Sequence, residues 1–167
     1  MLFLGVDPGI ATTGYGLILE DERGIISEVT HGVIKTPTDQ RIELRLQTLY
    51  TELSALILLH QPKEAAVEKL YFARNVTSGI AVGEARGVVL LVLSQAGIHL
   101  GEYSPLEVKQ AVVGYGGADK HQVQEMVKAI LALPAIPKPD DAADALAIAI
   151  CHAHSYRHQR LEEGFNE

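Results

Sequence analysis

Apolar residues open the chain in a run, Leu2, Phe3, Leu4 and Val6, that delivers Asp7 to a strand tip before Pro8 and Gly9 turn the backbone. A second strand returns beside the first as far as Leu19. In it Gly14 and Gly16 flank Tyr15 and leave room for another backbone or a ligand to come close. After the turn Asp21-Glu22-Arg23-Gly24, the β-branched and roughly alternating stretch from Ile25 to Thr36 predicts a third strand, completing an antiparallel meander. The period then changes. Ile42, Leu46, Leu49, Leu53, Leu56 and Ile57 recur at helical spacing between Gln40 and His60, and Gln61-Pro62 ends that helix. A crossover helix after a meander calls for a parallel strand next, and Glu64 to Leu70 supplies it with Glu68 near its end.

A long helix follows, capped at Asn75, Thr77 or Ser78, running to about Gln95 and stopped by Gly97. Gly79, Gly83 and Gly87 repeat along one of its faces, which suits close packing either on the chain's own sheet or on a second subunit. The remaining pattern predicts a strand from Ile98 to Tyr103, a short helix from Pro105 to Val112, and a glycine loop from Gly114 to Gly117. A helix from Asp119 to Leu131, a Pro-rich linker from Leu133 to Pro139 and a last helix from Asp140 to His158 complete the chain. Three meandering strands and two more reached through helices predict an α/β fold: a five-stranded mixed sheet flanked by helices. That pattern resembles ribonuclease-H-like domains, which implies the strand order 3-2-1-4-5. Residues 1–158 would form this one domain, and 159–167 a polar tail that frays.

Composition narrows the class. The 167 residues, 47% hydrophobic and 21% charged, suit a single globular domain rather than a disordered chain. The single cysteine, Cys151, cannot close an internal disulfide and reads as a small buried hydrophobe, which suits a reducing compartment. No signal-peptide pattern opens the chain and its longest uncharged apolar run, Gly87 to Leu93, is too short for a bilayer, so a cytoplasmic location is expected. A net charge of -7 argues mildly against a nucleic-acid binder. Acids that hold divalent cations, however, count as negative here and present differently once metal is bound.

In the expected sheet the first and fourth strands are parallel neighbours, so Asp7 and Glu68 end at one edge, where ligands of open α/β sheets gather. The last helix begins DDAADALAIA. Asp141 and Asp144, three apart, share one face of its first turn, and Asp140 with Asp144 would do nearly as well. Aspartates at a helix start also serve as caps, and Asp7 alone is an ordinary turn carboxylate. Asp144 differs: it sits one turn in, before the apolar Ala145 to Ile150, partly buried and in want of a partner. Carboxylates converging without basic neighbours repel one another, and a divalent cation resolves the conflict. All-oxygen ligands suit Mg²⁺ or Mn²⁺ over zinc, and the seven histidines show no ligand spacing; His152, His154 and His158 read as surface residues. Two metals bridged by Asp7 can clamp a phosphodiester for in-line attack, leaving a 5′-phosphate and a 3′-hydroxyl.

Five blocks then carry a resemblance: GVDPGIATTGYG near the start, AVEKLYFARN around Glu68, GEARGV in the long helix, VKQAVVGYGGADKHQV, and DAADALAIAICHAH. Together they resemble the RuvC family of bacterial Holliday junction resolvases along nearly the whole chain. The resemblance implies a Mg²⁺-dependent endodeoxyribonuclease that resolves four-way DNA junctions by symmetric nicking in recombination and repair. It implies two metals per site, with Mn²⁺ able to substitute, held by Asp7, Glu68, Asp141 and Asp144; the DAAD register selects Asp141 over Asp140. Lys109 and Lys120 match positions serving DNA contact or catalysis. Tyr71 matches an aromatic that packs on an unpaired base, with Tyr standing where Phe is usual, and Arg74 is a backbone contact. A homodimer, with RuvA and RuvB as partners, completes the expectation. Rival readings are a sugar-kinase or actin type phosphate-binding fold, which lacks its second domain here, a junction-binding module without activity, and a hybrid-specific ribonuclease.

Overall fold

In β1, Leu2–Asp7, alternation turns Phe3, Gly5 and Asp7 to one face of the sheet and Leu2, Leu4 and Val6 to the other. The computed structural model describes residues 1–70 and 76–164, with side chains for 1–70 and 79–158. β2 (Thr12–Glu20) pairs antiparallel with β1, and β3 (Ile26–Lys35) antiparallel with β2. The helix α1 (Ile42–His60) crosses over to β4 (Glu64–Glu68), which runs parallel to β1; α2 (Val76–Gln95) crosses to β5 (His99–Tyr103), parallel to β4. The sheet order is β3-β2-β1-β4-β5, the order expected of a ribonuclease-H-like domain.

Three helices follow: α3 (Pro105–Val113), α4 (Lys120–Ile130) and α5 (Asp140–Gly164). Two apolar layers hold the sheet between them. Leu49, Leu53 and Ile57 of α1 and Val89 and Leu93 of α2 bury against Leu4, Val6, Leu17, Ala65 and Val67. On the other face Phe3, Ile18 and Ala66 meet Val108, Val127, Leu146 and Ile150. Each large side chain buried in these layers contributes about 1.5–3 kcal/mol.

Several boundaries shift by a residue or two. Expected to reach Leu70, β4 ends at Glu68. The Lys69 N–H still donates to the Tyr103 carbonyl, but β5 stops there because Ser104 caps α3. At its start, β5 loses Ile98, whose N–H turns back to the Leu93 carbonyl. Helix α5 continues to Gly164, beyond the expected end at His158.

The glycines of β1 and β2 admit a backbone, and that backbone is α5. A Cβ on Gly5 would lie 2.0 Å from the Ala145 carbonyl oxygen, and one on Gly14 would lie 2.0 Å from that of Asp141. The helix therefore rests main chain to main chain on two bare strands. On α2 the glycines do something else. Among the described residues Gly87 has nothing within 4 Å of its would-be Cβ, and for Gly83 the nearest atom is in Leu70 at 4.0 Å, so neither packs on the chain's own sheet.

Candidate active site

Asp7 and Glu68 close their strands at the same edge, and both face α5. Because Gly14, the partner of Asp7 in the β1–β2 ladder, lies directly under Asp141, the first turns of α5 are set beside the strand tip. Asp141 and Asp144 thus join Asp7 and Glu68. Pro105 to Val123 bring two cations to the same rim. The capping box of Asp119 and Gln122 starts α4 so that Lys120 is its first residue, and Lys120 Nζ donates to Asp144 Oδ2 at 3.0 Å. Lys109 of α3 lines the same cleft, a hollow of about 200 Å³ bounded also by Glu68, Lys120, Val123, Asp144 and Ile148. A larger hollow of about 700 Å³ opens beside Met1, Arg23 and Tyr156. Its acids, Glu20, Asp21 and Glu22, are consecutive residues at one turn, and Arg23 pairs there with Asp21 at 3.3 Å.

The charges show how strongly the acids feel one another. Burial, and then the charges of Asp144, Glu68 and Asp141, push the Asp7 carboxyl up from 3.8 to about 7, against the pull of Lys120. Burial and Asp144 raise Glu68, while Lys109 lowers it. Asp144 is raised by burial despite its bond from Lys120, whose own pKa that bond raises.

These contacts correct the expectation that the acids converge without basic neighbours: Lys120 fills the want of a partner at Asp144. Between the two aspartates that spacing left open, Asp141 is the one whose charge reaches Asp7. Asp140 instead bonds Lys138 at 3.0 Å, which lowers its pKa, and stands 3.6 Å from Lys120. The four acids lie within electrostatic reach of one another. Among the described residues, the group of three ligand atoms within 4.8 Å of one another is Glu64, His99 and His152.

That trio overturns a second expectation. His152 is no surface residue: it is 3% exposed, because it lies on the α5 stripe that faces the sheet. His154 is exposed, as expected, with Nδ1 3.2 Å from the Ala111 carbonyl. Cys151 is buried, and burial pushes its thiol up to about 12, so it is no nucleophile. A positioning residue absent from the sequence reading is Arg86 of α2, whose Nε donates to the Glu68 carbonyl at 3.3 Å while its guanidinium pairs with Glu102. Tyr71 and Arg74 lie outside the described residues, as does the expected cap Asn75.

The family model "Crossover junction endodeoxyribonuclease RuvC" matches residues 3–152. The crossover junction endodeoxyribonuclease RuvC of Syntrophomonas wolfei is 54% identical over 157 residues, covering 94% of this chain and 91% of that protein. The Thermus thermophilus RuvC structure superposes with a TM-score of 0.88 at 34% identity, over 95% of this chain and 97% of that one. A complex of T. thermophilus RuvC with a Holliday junction substrate gives a TM-score of 0.86 at 32% identity, over 95% and 96%.

Proposed function

The chain belongs to the crossover junction endodeoxyribonuclease RuvC family, the Holliday junction resolvases, and from that premise we propose that Asp7, Glu68, Asp141 and Asp144 form the metal centre that nicks the junction strands. The observation that carries this reading is Asp7 itself. Burial, and then three neighbouring carboxylates, raise its pKa to about 7, a cost of ionisation that a hard divalent cation at this edge would offset. The donors are all oxygens, which fits Mg²⁺, two ions per site with Mn²⁺ as a substitute. Bound there, such ions supply activation of water and stabilisation of the leaving oxygen, giving 5′-phosphate and 3′-hydroxyl ends. The chain's own groups do the rest. Arg86 fixes the Glu68 backbone, and the main-chain seat of α5 holds Asp141 and Asp144 against Asp7. Lys120 and Lys109, on one wall of the cleft, hold positive charge where a scissile phosphate would lie. Incubating the protein with a synthetic immobile four-way junction, with and without Mg²⁺, tests the reading. Paired nicks at symmetric positions only with the metal support it, and binding without cutting overturns it.

Lys120→Ala should slow cleavage by roughly 10–100-fold, because it removes a cation from developing negative charge. The side chain is 54% exposed, so the fold should be kept. Single-turnover rates decide, and an unchanged rate removes Lys120 from the chemistry.

A two-fold junction suits two sites related by the same operator, hence a homodimer. Ile80, Gly83, Gly87 and Leu91 share one face of α2; Ile80 is 56% and Leu91 50% exposed, and the glycines between them have open space. This stripe is the surface proposed for the second copy. Gly87→Leu should leave the monomer folded and shift a light-scattering mass from dimer to monomer, and a variant that stays dimeric excludes the stripe. RuvA and RuvB are the partners the family resemblance implies. Residues 1–158 act as a single nuclease domain in this reading. No described helix is long and apolar enough to cross a membrane.

A further inference from the structure

We propose that Glu64, His99 and His152 form a second cation site, for a zinc-type transition-metal ion, at the end of the sheet away from the nuclease centre. Glu64 opens β4 and His99 opens β5, paired in register, whereas Glu68 closes β4 on the same face. Four residues of strand separate the two sites by about 13 Å.

The ligand atoms are already gathered. Glu64 Oε2 lies 2.8 Å from His99 Nδ1 and 3.0 Å from His152 Nε2. Tetrahedral zinc, with bonds of about 2.0–2.1 Å, spaces its ligand atoms about 3.3 Å apart, so the two distances to Glu64 have to open by only a few tenths of an ångström, and the two ring nitrogens already lie within 4.8 Å of each other. Two imidazoles and one carboxylate are donors for zinc and its first-row neighbours and not for Mg²⁺, which separates this site chemically from the four acids.

The buried ring is held in place from three sides. Phe3 meets His152 edge-on, centroids 5.7 Å apart at 88°. Gly101 makes room beneath it, since a Cβ there would lie 2.6 Å from His152 Nδ1. The Tyr103 hydroxyl stands 2.8 Å from that same Nδ1, which leaves Nε2 directed at Glu64. With an ion on Nε2 the ring proton moves to Nδ1 and donates to the Tyr103 oxygen, the outer hydrogen bond that metal-binding histidines require. The side chains of Glu64 and His152 are 9% and 4% exposed, and that of His99 68% exposed. The site is thus closed on the protein side and open at His99, where an ion can enter and water can complete the tetrahedron. Such an ion would tie β4 and β5 to α5, the helix that carries Asp141 and Asp144.

Full-length protein stripped with chelator and titrated with Zn²⁺ alone tests this, with Co²⁺ as the visible reporter of geometry. The four acids are taken out of the measurement by an Asp7→Asn, Asp144→Asn double variant. That variant should bind one Zn²⁺ with a Kd of roughly 1 μM or below and give tetrahedral Co²⁺ absorption. Its Tm should rise by about 5–10 °C at a Zn²⁺ concentration about 100 times Kd. Adding His99→Ala, a change at an exposed ring, should weaken binding by about 100-fold or more while the melting point in chelator stays within a few degrees; Glu64→Gln, which keeps the side chain's size, should do the same. No binding by the double variant overturns the proposal. So does binding that survives both His99→Ala and Glu64→Gln, and in either case the trio is only a hydrogen-bonded tie between β4, β5 and α5.

Discussion

Asp7→Asn is expected to abolish junction cleavage, by roughly 10³-fold or more, while junction binding persists and the metal-free protein becomes more stable. The three outcomes share one cause. Burial makes ionisation of Asp7 costly, and the charges of Asp144, Glu68 and Asp141 converge on it and add to that cost. Replacing it by a neutral group of the same shape removes that repulsion and raises the metal-free Tm by about 5 °C. The same replacement removes the oxygen on which a divalent ion would rely. Nick yield on a four-way junction in Mg²⁺, band shift of the same junction in EDTA, and a melting curve in EDTA measure the three effects. Normal cutting, or a variant that melts lower, would show that Asp7 is an ordinary turn carboxylate.

The second expectation is that metal-free wild-type protein loses stability relative to Asp7→Asn as the pH rises from about 4 to about 7, and that Mg²⁺ removes the difference. The folded-state pKa of Asp7, about 7, lies above its ordinary 3.8. Between those values the native state keeps a proton that the unfolded chain has lost, so raising the pH favours unfolding, and above about 7 the effect is complete. The displacement from 3.8 to about 7 corresponds to about 4 kcal/mol at most, or roughly 10 °C in Tm. Glu68 from β4 and Asp144 from α5, both raised by burial first, lower stability in the same pH direction in both proteins and enter the difference only through their repulsion of Asp7. Lys120 from α4 and Lys109 from α3 oppose them. His152, lowered by burial, stabilises as the pH rises past its ordinary 6.5, but it contributes equally to both proteins and drops out of the difference. Melting curves of the pair from pH 4 to 8, in EDTA and in Mg²⁺, read the effect. A difference that does not vary with pH would mean that Asp7 does not carry the strain assigned to it.

Much of this site was legible in the chain. A meander followed by two crossovers describes five mixed strands, and the likeness of that pattern to ribonuclease-H-like domains supplies the order that ends Asp7 and Glu68 at one edge. The bare glycines announced a close approach, although only the structure shows that Gly5 and Gly14 receive α5. What could not be read depends on which way a helix is rolled and how helices stack. His152 stands among apolar residues on every side, so nothing in the local pattern marks its face as the inner one. Glu64 looks like any strand residue until His152 arrives from far along the chain. Lys120 meets Asp144 only because α4 packs against α5, and spacing alone does not separate Asp140, which bonds Lys138, from Asp141, whose charge reaches Asp7.

The seat of α5 on Gly5 and Gly14 has one more consequence. The gap between strand tip and helix is set by main-chain dimensions and not by how side chains fill a core, so it has no adjustable filler. The opposite layer, where Leu49, Leu53 and Leu93 pack beneath α1 and α2, holds none of the four acids. Substitution there can soften or harden the molecule against heat and leave the cutting chemistry's spacing as it was, so endurance and catalysis can drift independently in this chain.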